Sequence, residues 1–189
     1  MPDDNPLAER GRSLEEEYFR ARDRELIEKM RRAAAVDQAR QQLHARTGLQ
    51  DPELLKELEA LGFTGDTVDL LPFVPLIQVA WAEGGVSNAE RKLVTQLARS
   101  RGITEGSAAD GQLTDWLENR PSAEVFARAM RLVRALLASP AQQTAMTADD
   151  LVKYSENIAE ASGGIFGLKR ISAEERTVLD ALAAELKAR

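Results

Sequence analysis

The chain of 189 residues has no cysteine and one histidine, His44. Without cysteine there is no disulfide framework, no thiolate nucleophile and no cysteine-ligated zinc. No histidine pair, no Ser/His/Asp set and no glycine-rich phosphate loop stands in the sequence, so no reaction is named by its motifs. His44 falls in a polar helical stretch and reads as a surface residue. Aromatic residues are scarce, at 5%, which leaves the core to Ala, Leu and Val. A long apolar run is also missing. The most apolar window, Leu70 to Ala82, contains Pro72 and Pro75 and falls short of the ~20 residues that span a bilayer. The chain does not begin with a cationic segment followed by an apolar one, so the expectation is a cytoplasmic protein without a secretory signal. Basic residues do not dominate: 25 Lys and Arg face 31 Asp and Glu, a net charge of −6. That argues against non-specific binding to nucleic acid, which needs a cationic face.

What is present is helical punctuation. Apolar residues make up 43% of the chain, enough for one domain with an appendage. A phrase recurs. Ala82-Glu83-Gly84-Gly85-Val86-Ser87 aligns with Ala161-Ser162-Gly163-Gly164-Ile171-Ser172 once the six residues Ile165 to Arg170 are set aside. Glycine takes positive φ without a Cβ clash, so each Gly-Gly pair is a helix stop. Ser87 and Ser172 each have a glutamate three residues on, Glu90 and Glu175, which is the spacing of a capping box. Val86 and Ile171 precede the caps, placed to staple the turn against the aliphatic stems of Arg91 and Arg176. Each unit therefore reads as a helix–turn–helix, and the fold class as all-α with an internal repeat.

The rest of the chain supplies the other helices. Met1 to Arg12, with Pro2 and Pro6, is expected to be a disordered tail. Ser13 and Glu16 offer a capping box, and nothing interrupts the helical pattern before Gly48. The expectation is one helix over 13–46, ~34 residues and ~50 Å long. Glu16/Arg20, Glu25/Lys29 and Glu28/Arg32 are i,i+4 pairs of the favoured polarity. Its apolar stripe is thin: Phe19, Leu26, Met30, Ala33, Val36 and Leu43, interrupted by Arg22 and Asp23, without a strict heptad. Such a helix lies across a partner or packs by a narrow edge. A helical domain is expected over 51–189. Asp51 and Pro52 open a helix that Gly62 ends; an apolar helix runs from about Thr67 to Glu83, its prolines pushing the true start toward Phe73, with Trp81 as a core anchor. Helices follow over Asn88–Arg101, Gln112–Asn119, Ala123–Ala138, a segment capped by Thr147, and Ala173–Lys187. The Ala123–Ala138 helix is apolar over more than half its cylinder, which predicts a central position, with Arg128, Arg131 and Arg134 as an outer stripe. Ile165-Phe166-Gly167-Leu168 is too apolar for a free loop and is expected to tuck into the core.

Two resemblances add to this reading. Ala80-Trp81-Ala82-Glu83-Gly84-Gly85-Val86-Ser87-Asn88-Ala89-Glu90-Arg91 resembles the "A-D-G-x-hydrophobic-S-x-x-E" segment of the tellurite-resistance TerB family. Ala161-Ser162-Gly163-Gly164-Ile165-Phe166-Gly167-Leu168 resembles the later Gly-Gly turn of its relatives. The likeness spans roughly residues 66–188. It implies a compact all-helical module in stress response, non-enzymatic, that works by protein interaction, with an acidic surface proposed to bind metal. This chain has Glu83 where the family has Asp, and Ser162 at the second site. The residues themselves leave one acidic group to consider: Glu83, Glu90, Glu160, Glu174 and Glu175. If the repeats pack about a pseudo-two-fold, these carboxylates can converge with carbonyls of the glycine turns, a set suited to Ca²⁺ or Mg²⁺ rather than zinc. Taken alone, however, the Ser/Glu pairs are caps. The second resemblance lies in Glu15 to Glu25, which is similar to the inhibitory helix of the mitochondrial ATP synthase inhibitor protein. Glu15, Glu16, Tyr18, Phe19, Arg20, Ala21, Arg24 and Glu25 carry it; the His-rich stretch of that family is missing. It implies an alternative function, regulation of an ATPase. The candidate partner-binding residues are Tyr18, Phe19, Arg20, Arg24, Leu26 and Met30. The partners in view are a protein, a complex at a membrane without a transmembrane segment of this chain's own, or a second copy joined through the N-terminal helix.

Overall fold

The computed structural model describes residues 6–139, 146–162 and 171–187, and the side chains of these apart from 6–14, 16 and 162. Among the described residues the chain is all-α, with no strand. The helices are α1 (Pro6–Thr47), α2 (Pro52–Ala60), α3 (Val74–Ala80), α4 (Asn88–Ser100), α5 (Ala108–Glu118), α6 (Ala123–Ala138), α7 (Ala148–Ser162) and α8 (Ala173–Lys187), with a 3₁₀ segment, Val68–Phe73, leading into α3. Contacts divide the chain into two units, Met1–Ala39 and Arg40–Arg189.

Among its described residues the first unit is a single helix. Its start corrects the sequence expectation of a disordered tail through Arg12: α1 begins at Pro6, so Ser13 is an interior residue and not a cap. Proline suits the first helical position because its missing N–H would have no partner there. Leu7, Ala8, Glu9 and Arg10 then propagate the helix, and Gly11 costs it only ~1 kcal/mol. Residues 17–38 are exposed without exception.

The second unit opens with the last turns of α1. Leu43 is fully buried, and Thr47 turns its hydroxyl back to the Leu43 carbonyl at 2.7 Å while accepting from the Leu49 amide at 3.2 Å. Gly48, at φ 68°, reverses the chain. A second glycine is needed for space: a Cβ on Gly65 would stand 3.0 Å from the Cβ of Gln42. Asp51 caps α2 by accepting from the Glu53 amide at 2.9 Å. The stretch read as one helix from Thr67 divides in two. Pro72 and Pro75 lack amide hydrogens, so Val68–Phe73 winds as 3₁₀ and the α-helix proper starts at Val74, one residue beyond the expected start. It also ends earlier than Glu83, at Ala80, where the Ala82 amide reaches only to Val79 (2.9 Å) and Gly84 turns at φ 87°.

Short as it is, α3 is the buried centre. Val74, Leu76, Ile77, Val79 and Ala80 are all sealed from solvent, and α4, α6, α7 and α8 pack around it. The centre lies here and not in α6, which was expected to be central: α6 buries Phe126, Ala129, Met130, Leu132, Val133 and Leu136 but keeps an arginine face outward. The two helix–turn–helix units stack as expected, since α3 packs on α7, α4 on α7, and α7 on α8. Both α6 and α8 have the boundaries read from sequence. α5 starts four residues earlier than expected, because Ser107 caps it by accepting from the Asp110 amide at 3.2 Å. The Gly163-Gly164 turn, the apolar Ile165–Leu168 stretch and the basic Lys169-Arg170 pair lie outside the described residues.

Candidate functional site

The repeated caps form as their spacing requires. The Ser87 amide donates to Glu90 Oε2 at 2.7 Å, and the Glu90 amide donates to Ser87 Oγ at 3.2 Å. In the second repeat the Ser172 amide donates to Glu175 Oε2 at 2.7 Å, and the Glu175 amide to Ser172 Oγ at 3.1 Å. Both glutamates are buried, at 2% and 1% exposure. They are also close enough to repel. Burial raises the Glu90 carboxyl above its ordinary range; the charges of Glu175 and Glu83 add to that, against hydrogen bonds from Ser87 that pull the other way.

The other acidic candidates do not join them in a cage. Glu83 and Glu174 are exposed and Glu160, on α7, is half-buried. Among the described residues no group of three His, Cys, Asp or Glu side chains is placed to hold a metal ion. A hard cation needs about six to eight oxygens, whereas Glu90 and Glu175 each commit an oxygen to a backbone amide. The described carboxylates are therefore not gathered into the cage expected from sequence, and the Gly163-Gly164 carbonyls of that expectation lie outside the described residues. The reason is that the capping box, needed to satisfy the first amides of a buried helix end, turns these carboxylates inward.

The arginine stripe of α6 is also committed. Arg128 Nε and Arg131 Nη2 both donate to Glu57 Oε1, at 3.1 and 2.6 Å, and hold that carboxyl below its usual range. Glu57 was not singled out from sequence; a contact 71 and 74 residues away leaves no local pattern. A cavity of about 610 Å³ beside this stripe is lined by Arg131, Arg134, Leu186 and Lys187 among others. Arg131 is bound by Glu57, and Lys187 by Asp149 at 2.9 Å, so its cations are largely compensated.

The partner-binding candidates present a different picture. Tyr18 and Phe19 are each 62% exposed and Met30 64%; Leu26 is also exposed, with Ile27 and Val36. Every large apolar side chain that is exposed among the described residues lies on α1. Ile27 and Val36 had not been counted as partner-binding candidates, although Val36 was read as part of the thin apolar stripe. Arg20 and Arg24 lie on the same stretch, where Arg24 Nε donates to the Arg20 carbonyl at 3.1 Å. Tyr18 and Phe19 meet edge to face, ring centres 5.9 Å apart.

No protein-family model, curated protein or solved structure matches the chain. No helix among the described residues is long and apolar enough to cross a membrane.

Proposed function

We propose that this chain is a non-enzymatic, TerB-like interaction module that engages a protein through the exposed stripe of α1. One observation carries the reading: large apolar side chains are left uncovered on α1 and nowhere else among the described residues. Exposed apolar patches mark interaction surfaces when they are contiguous, and Phe19, Leu26 and Met30 follow one helix face at intervals of seven and four. Their full burial is worth about 1.5–3 kcal/mol each, a gain that the free helix forgoes. The packed domain supplies the scaffold, with its carboxylates used in caps and its arginines in ion pairs. The stress-response setting comes from the TerB resemblance, carried by the Gly-Gly and Ser-x-x-Glu phrases.

The inhibitor-like alternative uses the same surface. Tyr18, Phe19, Arg20 and Arg24 are all exposed, as a helix that inserts into a nucleotide-hydrolysing machine requires. Full-length protein carrying Phe19→Glu and Met30→Glu tests the reading. Any protein captured by the native chain should bind this variant at least tenfold more weakly, about 1.4 kcal/mol. Equal capture by both forms rejects α1 as the contact element. Loss of ATPase inhibition with the same variant would favour the alternative over an adaptor role.

A further inference from the structure

We propose that the protein engaged by α1 is acidic: it offers an apolar surface bordered by Asp and Glu side chains. Phe19, Leu26 and Met30 lie on that surface while the basic residues of α1 meet its border. This rests on the reading of α1 as the contact element. The charges around the helix carry the argument. At about 100° per residue, Phe19, Leu26 and Met30 fall within about 40° of arc, along one line. Arg22 and Lys29 stand about 60–80° to one side of that line, and Arg20 and Arg31 about 100–120° to the other. All four are exposed. Glu17 and Glu28 stand on the far face, about 160–180° away, and Glu28 meets Arg32 at 3.4 Å. Among the described residues no carboxylate is within ion-pair distance of Arg22, Lys29 or Arg31, although Glu25 has the spacing to pair with Lys29.

A hollow of about 200 Å³ opens beside Leu26, lined by Arg22, Glu25, Leu26 and Lys29. A glutamate of the partner fits it, with its methylenes over Leu26 and its carboxylate between Arg22 and Lys29. Asp23 stands about 40° from the line, and Glu15 and Asp37 stand near it beyond its two ends. The end carboxylates confine the contact to the stretch between them, and Asp23 weakens it. The contact is therefore reversible and sensitive to ionic strength. Anchors spaced by seven and four residues along one line suit a groove or a second helix of a protein. A membrane surface takes a broad apolar face, which a line broken by Asp23 does not supply.

Two synthetic helical peptides test this against the full chain. Both carry the same leucine stripe, bordered by glutamate in one and by lysine in the other. Titration followed by fluorescence anisotropy should show the glutamate peptide binding about tenfold or more tightly than the lysine peptide, with the preference shrinking in high salt. Arg22→Glu with Lys29→Glu should invert the preference, and the gain for the lysine peptide shows that the variant is folded. Phe19→Glu with Met30→Glu should weaken the glutamate peptide about tenfold or more. Equal binding of both peptides, lost with the Phe19/Met30 variant, overturns the acidic partner and leaves α1 as the contact element. A preference that this variant does not touch places the contact off α1 and overturns both readings. No binding of either peptide overturns the acidic partner, while α1 itself is still judged by capture with the Phe19/Met30 variant. Vesicles of phosphatidylserine and phosphatidylcholine are the last arm. Tighter binding to them than to the glutamate peptide, lost with the same variant, makes the occupant a lipid surface and overturns a protein partner.

Discussion

The two repeats of the helical domain share their caps and differ in what surrounds them. Val79 and Ile158 are equivalent and both buried, as are Ala80 and Ala159; the cap hydrogen bonds agree to 0.1 Å. The outer positions diverge. Trp81 donates its indole N–H to the Trp116 carbonyl at 2.8 Å, and Arg91 donates to the Leu117 carbonyl at 2.9 Å. The first repeat is thereby fastened to the end of α5. At the matching positions the second repeat has Glu160, half-buried, and Arg176, exposed. One further pair differs inside the core: Leu76 against Ser155, both sealed from solvent. The likeness survives where buried amides must be satisfied. It fades where each repeat meets different neighbours.

The largest test of this comparison is Leu76→Ala. It removes a fully packed side chain from α3, around which α4, α6, α7 and α8 pack, and should cost about 2–5 kcal/mol in urea unfolding. A loss below about 1 kcal/mol would mean that the centre does not lie at α3. The caps come next. Ser87→Ala and Ser172→Ala should each cost about 1 kcal/mol, and nearly equally, since the two boxes have the same geometry. A large loss at one and none at the other would show that the repeats are not energetically alike.

How much of this was legible follows from where the physics is local. The Ser87 and Ser172 capping boxes and the 3.6-residue period of α6 and α8 are written within a few neighbouring residues, so those boundaries were read correctly, whereas the same Ser-x-x-Glu spacing at Ser13 falls inside α1. Ser107 was passed over because its partner is Asp110 and not glutamate, although the spacing is the same. The winding of Val68–Phe73 could not be told from a helix turn, since both bury the same residues and only the missing amide hydrogens of Pro72 and Pro75 separate them. The long-range facts left no trace. Glu57 meets Arg128 and Arg131 from 71 and 74 residues away, and the burial of Glu90 and Glu175 depends on the stacking of the repeats. The acidic residues near the turns were therefore read as a cation cage, while the stacking makes two of them internal caps. The exposed stripe of α1 was legible from composition alone, because a helix with so few apolar residues cannot cover itself.

The paired glutamates give the next prediction. Because burial and the charges of Glu175 and Glu83 raise the Glu90 carboxyl above its ordinary value of about 4.5, the folded protein holds that proton after the unfolded chain has released it. The sign follows from linkage. The stability linked to Glu90 is fully present below about 4.5 and is lost as pH rises through its higher folded value. Gln can serve in a capping box without the charge. Glu90→Gln should therefore gain stability relative to the native chain as pH rises from 4.5 toward neutrality. Glu175→Gln, by removing one of the repelling charges, should lower the pH at which Glu90 titrates. A difference between Glu90→Gln and the native chain that stays flat with pH would show that Glu90 is not held in its neutral form by the fold.

The smallest effect is expected at Ser155, the counterpart of Leu76. Its hydroxyl is buried and has no hydrogen-bond partner in the structure, a condition that costs about 1–3 kcal/mol for a buried polar group. Replacing it with alanine removes the oxygen and leaves almost the same volume, so α7 keeps its contact with α3. Ser155→Ala should then be neutral or stabilising by up to about 1 kcal/mol, opposite in sign to Leu76→Ala at the same place in the other repeat. A clear loss of stability would mean that the hydroxyl is satisfied in solution, by water for instance, and that the second repeat has a polar contact where the first has a purely apolar one. The sign of this one substitution therefore decides whether the two halves were matched by the same kind of packing or only by the same turn.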